Sequence, residues 1–331
     1  MSGITTNALG RKSKKKIIAR ERAYHGVTVA SGSLTGLPYA QDGFDLPAID
    51  VIHTAAPHYY RYAEPGESEE QFSERLAQRL EADIEAGGGA DHIAAFIAEP
   101  VMGAGGAIPP PAGYFDKVQA VLKKHDILFI ADEVICGFGR TGNMWGSETY
   151  NIEPDIITCA KQLSSAYLPI GAVLITEQVF SAMARLSNEL GMFGTGNTYG
   201  GHPVAAAVAL ETLKIYQERN ILATVNTRSH RLAERIRALQ NHALVGDSRS
   251  VGLIGAIELV ADKHSREQYP PSQKIAAQVM NAARQHGVIV RATPGDGIAF
   301  CPPFIITDDQ IDELFDGVQA ALDDVRTSLS S

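Results

Sequence analysis

The sequence contains little cysteine: Cys136, Cys159 and Cys301 are three residues in 331. They form no CxxC pair, and any disulfide pairing would leave one thiol over. This pattern is typical of a protein in a reducing compartment and not of a secreted protein that disulfides stabilise. Residues 1–7 also lack the apolar core of a signal peptide. We therefore predict a cytoplasmic location.

Long apolar runs and positive charge are also scarce. No apolar run approaches the ~18 residues that span a bilayer, so we predict no membrane partner. Acidic residues outnumber basic ones by 38 to 29, and the formal net charge of −9 argues against a nucleic-acid partner. The basic run at 11–16 is the local exception. It stands directly before the apolar residues 17–19, and we interpret it as a solvated approach to a strand.

Apolar residues are present in the proportion that a large core requires. They make up 45% of the 331 residues, and charged residues make up 20%. A chain of this length and composition predicts about two domains. Continuous apolar runs at 93–98, 127–131 and 156–159 are separated by helix-like stretches. Such runs are typical of a mainly parallel sheet covered on both faces, so we predict an α/β fold.

The last third of the chain has a different pattern. Long helix-like stretches begin near residue 203, and strand-like alternation returns at 246–260. We predict a large domain at 1–221 and a smaller α/β domain at 222–331. The elements predicted in this part are helices at 202–216, 226–239, 272–286 and from Asp308 onward, and a strand at 288–290.

A charged residue follows each of the three predicted strands in the first part. Glu99 follows the first strand, Asp132 ends the second, and Lys161 lies just past the third. Because the carboxyl ends of parallel strands meet at one rim of the sheet, we expect these side chains to converge where such sheets bind ligands. A single charged residue at a strand end is usually a capping or surface residue. Three on consecutive strand–helix units indicate a site.

An aspartate and a lysine at such a site suit one kind of chemistry. A lysine in a partly desolvated pocket has a lowered pKa and attacks aldehydes as a free amine. An aspartate beside a pyridine nitrogen keeps that nitrogen protonated, so that the ring accepts electrons. The same lysine can carry a proton to and from the substrate carbon. This is the division of labour that an enzyme using pyridoxal 5′-phosphate (PLP) requires.

Longer motifs around these residues resemble the class III aminotransferases. The matching stretches, in chain order, are FIAEPVMGAGG at 96–106, FIADEVICGFGRTG at 129–142, DIITCAK at 155–161, LPIGA at 168–172 and GNTYGGHP at 196–203. The nearest subgroup by resemblance is the ω-amino acid–pyruvate transaminases. The resemblance implies fold type I, PLP as cofactor, and transfer of an amino group from an amine or ω-amino acid donor to a small 2-oxo acid such as pyruvate.

The resemblance also implies roles residue by residue. Lys161 would hold the cofactor covalently, and Asp132 would face its pyridine nitrogen. Val134 would pack against one face of the ring, and Tyr24 would stack near the opposite face. Glu99 would support the site by holding neighbouring polar groups. The resemblance implies no metal site.

Two further roles concern a partner subunit and the substrate. Thr198 would offer its hydroxyl to the cofactor phosphate of the facing subunit, which implies a homodimer. Arg291 would receive a substrate carboxylate, because a guanidinium binds a carboxylate through two parallel hydrogen bonds. The alternative interpretation of Arg291 is a surface ion pair of little energy. His25 and His202, each beside a glycine or proline, are interpreted as local hydrogen-bonding residues.

The chain departs from the family pattern at two places. Gln162 and Ala166 stand where many relatives have glycine. Relatives also have a substantial segment before the position where this chain begins. That segment includes a Gly-Ser-Glu-Ala-type turn that binds the cofactor phosphate at a helix N-terminus, and no such turn precedes Tyr24. We therefore expect an N-terminally incomplete large domain, weaker PLP retention and little turnover.

Three alternatives accompany this interpretation. The stretch Gly137–Gly142 matches the dinucleotide motif G-x-G-x-x-G, but residues 143–151 show no helical periodicity and Asp132-Glu133 would repel a pyrophosphate. We interpret it as a turn-rich loop and expect no NAD site. A PLP-dependent aminomutase would share Asp132 and Lys161 but would need no separate 2-oxo acid. An inactive remnant that acts only as a subunit partner would bind a full-length relative without cofactor.

Overall fold

The computed structural model describes residues 2–330, so Met1 and Ser331, which the predicted domain limits include, lie outside the described residues. The chain forms two β-sheets with helices packed around them. The strands of the first sheet are β1 (Lys16–Arg20), β2 (Val51–Thr54), β3 (Ile93–Ala98), β4 (Leu128–Asp132), β5 (Ile156–Cys159) and β6 (Ala172–Ile175). Those of the second are β7 (Val245–Val251), β8 (Ile254–Leu259), β9 (Arg291–Thr293) and β10 (Gly297–Phe300). The helices are α1 (Ser2–Ala8), α2 (Val29–Leu34), α3 (Tyr59–Tyr62), α4 (Glu69–Ala86), α5 (Tyr114–Lys124), α6 (Gly146–Thr149), α7 (Glu177–Leu190), α8 (Pro203–Glu218), α9 (Ile221–Leu239), α10 (Ile275–Gln285) and α11 (Asp308–Leu329).

The first sheet is mainly parallel, as predicted. Its strand order is β2-β1-β3-β4-β5-β6, and every neighbouring pair is parallel except β5 and β6. Helices α4 and α5 supply apolar side chains to one core beside the sheet, and α7 supplies them to another. All six residues of β3 are therefore buried. The continuous apolar run at 93–98 was a correct signal for a strand covered on both faces.

Helix α4 shows how local and tertiary preferences agree. Its buried residues include Phe72, Leu76 and Leu80, which recur every four positions and so lie on one face of the helix. At its start Ser68 forms a capping box with Gln71: Ser68 Oγ accepts the Gln71 N–H at 3.3 Å, and the Ser68 N–H donates to the Gln71 side chain at 2.9 Å. Burial of each apolar side chain contributes about 1.5–3 kcal/mol. Capping and packing thus favour the same helix.

The basic run at 11–16 leads into β1, as predicted, but it is not wholly solvated. Lys14 is 4% exposed, and its Nζ donates to the carbonyl oxygen of Asp126 at 2.6 Å. Burial lowers the pKa of Lys14, and the Asp126 carboxylate opposes that shift. The interpretation as a solvated approach is therefore wrong at Lys14, which ties the start of β1 to the turn before β4.

The second sheet is antiparallel and has its own apolar core. Its strand order is β7-β8-β10-β9. Helices α9, α10 and α11 contribute buried side chains to this core, for example Leu232, Val279 and Phe315. Within residues 2–330 no helix, including the 22-residue α11, is both long and apolar enough to cross a bilayer.

One predicted strand in this part is wrong. The residues at 288–290 form no ladder, and the paired strand β9 begins only at Arg291. Val288 and Val290 are buried whereas Ile289 is 83% exposed. The side chains therefore alternate as in a strand, but no neighbouring backbone pairs with them. The apolar pattern predicted the burial of these side chains correctly but predicted their strand pairing incorrectly.

A buried group of charges joins the segment after β2 to the second sheet. The Glu258 carboxylate on β8 binds His58 Nε2 at 2.8 Å and Arg249 Nη1 at 2.9 Å, and it also contacts Arg61 Nε. Burial alone would raise the pKa of Glu258, but the hydrogen bond from His58 and the charges of Arg249 and Arg61 hold that pKa well below its usual range. Burial lowers the pKa of His58. Glu258 is therefore the ionised acceptor of this group.

Replacing Glu258 with glutamine is expected to lower the free energy of unfolding by about 3–5 kcal/mol, because the half-buried Arg61 and Arg249 lose the charge of a fully buried carboxylate. Since folding depresses the pKa of Glu258, its contribution is complete above the unfolded value of about 4.3 and is lost as pH falls toward the folded value. Urea unfolding of wild type and Glu258→Gln between pH 7 and pH 3 measures both effects. Glu153→Gln, which breaks an exposed pair with Lys123, is the control. Equal losses in the two variants would contradict this role.

Candidate active site

Four chemically active residues lie shortly after four neighbouring strands of the first sheet. Tyr24, Glu99, Asp132 and Lys161 come at or after the ends of β1, β3, β4 and β5, which are adjacent in that order. The register places Asp132 opposite Thr158 on the parallel strand β5. All four residues therefore lie at the carboxyl rim, where open α/β sheets bind ligands. The expected convergence of the three charged residues thus follows from the strand order.

Asp132 is oriented by two donors. Its side chain is nearly buried, and its Oδ1 accepts the backbone N–H of Val134 at 3.1 Å. Its Oδ2 lies 2.7 Å from Nδ1 of His25, whose ring is 1% exposed. The hydrogen bond requires the proton on Nδ1 when Asp132 is ionised. His25 Nε2 is buried and has no hydrogen-bond partner among the described residues.

His25 is the functional residue that sequence reasoning missed. The interpretation as a local hydrogen-bonding residue was wrong for His25, because its partner is Asp132 on the far side of β3. The available signal was its place beside Tyr24 at the end of β1. That signal could be used only with the knowledge that β1 lies two strands from β4. His202 occupies the N-cap position of α8 without a side-chain capping hydrogen bond, and it is exposed.

Glu99 connects the β1 and β3 ends of the site. It is 3% exposed, and its two carboxylate oxygens accept the backbone N–H groups of Tyr24 at 3.1 Å and Gly103 at 2.9 Å. Arg20 Nη2 donates to the carbonyl oxygen of Glu99 at 2.6 Å. Burial raises the pKa of Glu99, with His25 opposing the shift. The geometry is the one that a supporting role for Glu99 requires.

Glu133, to which the sequence analysis gave no role, anchors the loop that contains the G-x-G-x-x-G motif. Its carboxylate accepts the N–H of Gly146 at 2.9 Å, and the N–H and Oγ–H of Ser147 at 2.7 and 2.6 Å. A Cβ on Gly137 would lie 2.7 Å from the carbonyl oxygen of Glu133, so only glycine fits this folded-back loop. The motif is followed by more loop and then the four-residue α6. No helix of the length that a dinucleotide site needs begins there.

Lys161 lies in an unusual backbone conformation at the start of a short 3-10 turn, Lys161–Ser164. Its φ is +40°, in the left-handed region that non-glycine residues seldom adopt and that often marks functional sites. Ser164 Oγ donates to the carbonyl oxygen of Leu168 at 2.6 Å, and α8 packs against the turn. The Lys161 side chain is exposed. The expected partial desolvation is therefore not supplied by residues 2–330 of a single chain.

The other predicted site residues are more exposed than Glu99 and Asp132. Val134 is half-buried and next to the Asp132 carboxylate. Thr198 lies in the exposed segment between α7 and α8. Arg291 is exposed at the start of β9, and within the described part of the chain no carboxylate lies within 4 Å of it. The surface ion pair considered for Arg291 is thus not formed.

The residues at the rim fit the ring end of PLP. An oriented, nearly buried carboxylate, an aromatic residue and an amine stand on neighbouring strand ends, as the pyridine nitrogen, the ring face and the aldehyde carbon require. At the phosphate end the candidate in this chain is Thr198. Groups of three or more acidic, histidine or cysteine side chains able to hold a metal ion do not occur among the described residues.

Comparisons with known proteins show which family the chain resembles. A family model described as aminotransferase class-III matches residues 4–322. The mitochondrial γ-aminobutyrate transaminase 1 of Solanum lycopersicum is 55% identical over 308 residues, which are 93% of this chain and 59% of that protein. The vanillin aminotransferase of Capsicum annuum is 50% identical over 320 residues, which are 97% of this chain and 69% of that protein. The chain thus spans about six-tenths of the first of these relatives.

Solved structures give the same result. A transaminase described with L-Ala is 53% identical and superposes with a TM-score of 0.96 over 99% of this chain and 77% of its own. The ω transaminase from Pseudomonas jessenii, in complex with PMP, is 48% identical and superposes with a TM-score of 0.97 over 99% of this chain and 72% of its own.

Proposed function

The chain belongs to the class III aminotransferases, fold-type I enzymes that use PLP, and from that premise we propose that it moves an amino group from an amine or ω-amino acid to a small 2-oxo acid such as pyruvate. The observation that carries the proposal is the Asp132–His25 pair beside Lys161 on adjacent strand ends. The same family membership makes the aminomutase the nearest alternative. That reaction would proceed without an added 2-oxo acid.

The proposed mechanism divides the work among the rim residues. PLP, when bound, supplies a ring that withdraws electrons from the substrate carbon. Lys161 Nζ would hold the cofactor, and the same amine would take the proton that leaves the substrate carbon and deliver it to the position that gains a proton in the transfer. Asp132 would face the ring nitrogen, and His25 Nδ1, 2.7 Å from Asp132 Oδ2, holds that carboxylate in place. Alternate reaction with donor and acceptor gives ping-pong kinetics.

The remaining rim residues are proposed to hold the cofactor. Val134 would pack against one face of the ring, and Tyr24 would stack near the other. Glu99 fixes the Tyr24 backbone through the hydrogen bond at 3.1 Å. Thr198 would donate its hydroxyl to the cofactor phosphate of a facing subunit. This last role requires a second copy of the chain.

Arg291 is proposed to bind the substrate carboxylate. Its exposure and the absence of an ion-pair partner within residues 2–330 leave its guanidinium available for that purpose. The names of the relatives include two compounds: γ-aminobutyrate, which has a carboxylate, and vanillin, which has no carboxylate. A mobile arginine would accommodate both kinds of substrate. We therefore propose that carboxylate-bearing substrates are used in at least one half-reaction.

We propose a homodimer because large apolar side chains near the Lys161 turn are exposed. Tyr167 is 82% exposed and Tyr199 83% exposed, on either side of α7 and close to the segments that flank α8. Large exposed apolar patches mark interaction sites, and we propose that these side chains form one. Further members of the set are Met192, Phe193, Val204 and Leu210. A second copy over this surface would also shield the exposed Lys161.

Substitution of Leu210 with aspartate is expected to shift the protein toward monomer, because a charge in an apolar interface is costly to desolvate. Sedimentation velocity at protein concentrations of about 1–50 μM measures the shift. Leu329→Asp, at the exposed end of α11, is the matched control and should leave the distribution unchanged. A wild type that sediments as a monomer throughout would overturn the dimer.

The reaction is tested by visible absorption of the purified protein with added PLP. Two results together support the transaminase. The protein shows a yellow band, and borohydride reduction leaves the cofactor covalently attached to Lys161. In unreduced protein an amine donor bleaches the band and pyruvate restores it. Bleaching and recovery with a single substrate and no 2-oxo acid would instead support the aminomutase. Absence of a band at saturating PLP, together with binding to a full-length relative, would support the inactive subunit partner. The exposure of Lys161 is the feature that favours this last alternative.

Two coarser predictions remain proposals. We propose a domain boundary at 221/222, which lies within one residue of the start of α9 at Ile221, where side chains begin to join the core of the second sheet. We propose a cytoplasmic location from the three unpaired cysteines. Some relatives are described as mitochondrial or chloroplastic, so fractionation of the source cells is the deciding measurement.

A further inference from the structure

Arg22, between β1 and Tyr24, occupies a strained and closely packed position. Its φ is +65°, in the left-handed region, although it is not glycine. A Cβ on Gly105 would lie 2.3 Å from the carbonyl oxygen of Arg22, so the loop that contains Gly105 can approach only because that residue is glycine. Arg22 is therefore held in a fixed conformation against a second segment of the chain.

Within the described residues the guanidinium of Arg22 forms hydrogen bonds to backbone carbonyl oxygens alone. Its Nη2 donates to the carbonyl oxygens of Gly105 at 2.8 Å and Pro294 at 2.9 Å, and its Nε donates to Gly105 at 3.2 Å. Among residues 2–330 no carboxylate lies within 4 Å of it. A half-buried arginine without a counter-charge, spanning two loops, acts as a geometric link between them.

Each of the two loops leads to a proposed substrate or cofactor residue. Gly105 follows Gly103, whose N–H binds Glu99 at 2.9 Å, and Glu99 in turn holds the backbone of Tyr24 at 3.1 Å. Pro294 lies in the turn between β9 and β10, and β9 begins at Arg291. The hydrogen bonds of Arg22 thus close a path from the Tyr24 segment to the Arg291 hairpin.

We propose that Arg22 is a positioning residue that fixes the Arg291 hairpin relative to the Tyr24 segment. By doing so it sets the selectivity for amine donors that carry a carboxylate over amine donors that lack one. The inference rests on the proposed function of Arg291. Loss of the link leaves the rim residues in place but lets the hairpin move. Substrates that need Arg291 then lose binding, and substrates without a carboxylate do not.

The test compares Arg22→Met, Arg22→Lys and wild type. For Arg22→Met, kcat/KM for γ-aminobutyrate with pyruvate is expected to fall about tenfold, through KM, because hydrogen bonds from a charged donor are lost. The value for a primary amine without a carboxylate stays within about twofold. Arg22→Lys recovers part of the loss, since an ammonium can reach one carbonyl but not bridge both in the same geometry. Equal losses on both donors would mean a purely structural residue and overturn the proposal.

A second measurement does not depend on activity. Amide hydrogen exchange of the β9–β10 hairpin is expected to quicken in Arg22→Met while exchange in β3 and β4 stays as in wild type. The control is Arg266→Met: Arg266 also has a positive φ, at +60°, and its Nη1 also donates to a distant backbone carbonyl, that of Tyr60, at 2.8 Å. It should change neither selectivity nor hairpin exchange. A wild-type protein without transaminase activity would overturn the proposed function. Unchanged hydrogen exchange of the hairpin in Arg22→Met would overturn the proposed link between Arg22 and the hairpin.

Discussion

Lys161→Ala is expected to lose both the borohydride-fixable absorption band and all measurable turnover. The amine is the proposed attachment point and proton carrier, and the methyl side chain of alanine can perform neither task. Alanine keeps the Cβ, so the left-handed backbone at φ +40° is no more strained in the variant than in wild type. The change therefore removes the chemistry without an added folding cost.

Two controls separate this effect from a general loss of lysine. Lys161→Arg keeps a positive charge in the same turn but cannot form the covalent attachment, and it should be as inactive as the alanine variant. Lys12→Ala removes an exposed lysine before β1 and should retain full activity. Turnover and a reducible band that survive in Lys161→Ala would refute the assignment of this lysine.

Asp132→Asn is expected to lower kcat by about 10²- to 10³-fold, the scale seen when one preorganised electrostatic group is removed. The amide keeps the shape of the carboxylate and can still accept the Val134 N–H, but it carries no charge to hold the ring nitrogen protonated. His25→Asn should cost less, about tenfold, because it loosens Asp132 without removing the charge. Single-turnover absorbance changes measure kcat apart from cofactor binding.

The control for this series is a carboxylate at the other end of the sheet. Asp155, just before β5, accepts the N–H of Phe129 at 2.8 Å. Asp155→Asn preserves an acceptor in the same sheet but at the rim opposite the site, so kcat should stay close to that of wild type. Equal losses in Asp132→Asn and Asp155→Asn would indicate damage to the sheet and would contradict the specific role of Asp132.

The strands that build the site could be predicted from the sequence because their residues are mainly apolar. All of β3 is buried, as is most of β4 and half of β5, and Glu99, Asp132 and Lys161 lie at or shortly after the strand ends. In a parallel sheet, chain order along consecutive units is enough to bring such residues to one rim. Sequence reasoning therefore predicted that these three candidate site residues share one rim without any knowledge of distances.

The contribution of β1 could not be predicted in the same way. β1 lies between β2 and β3, a crossover that no local pattern records, and this placement brings His25 to Asp132. The exposure of Lys161 was also unpredictable, because it depends on which surfaces cover the turn. At Val288 the apolar alternation was real but the partner strand was absent. Each miss concerns a tertiary neighbour and not a local preference.

The strand order also has a consequence for folding kinetics. β1 lies near the start of the sequence, but its residue Ile18 pairs with Phe96 on β3. This pairing at the centre of the sheet therefore requires a large loop to close first. Sheets of this kind fold slowly, and the rim on which Tyr24, Asp132 and Lys161 meet exists only after β1, β3, β4 and β5 have assembled. The cofactor can therefore neither nucleate nor guide folding. In a refolding experiment, recovery of PLP binding would report the last event, after secondary structure has returned.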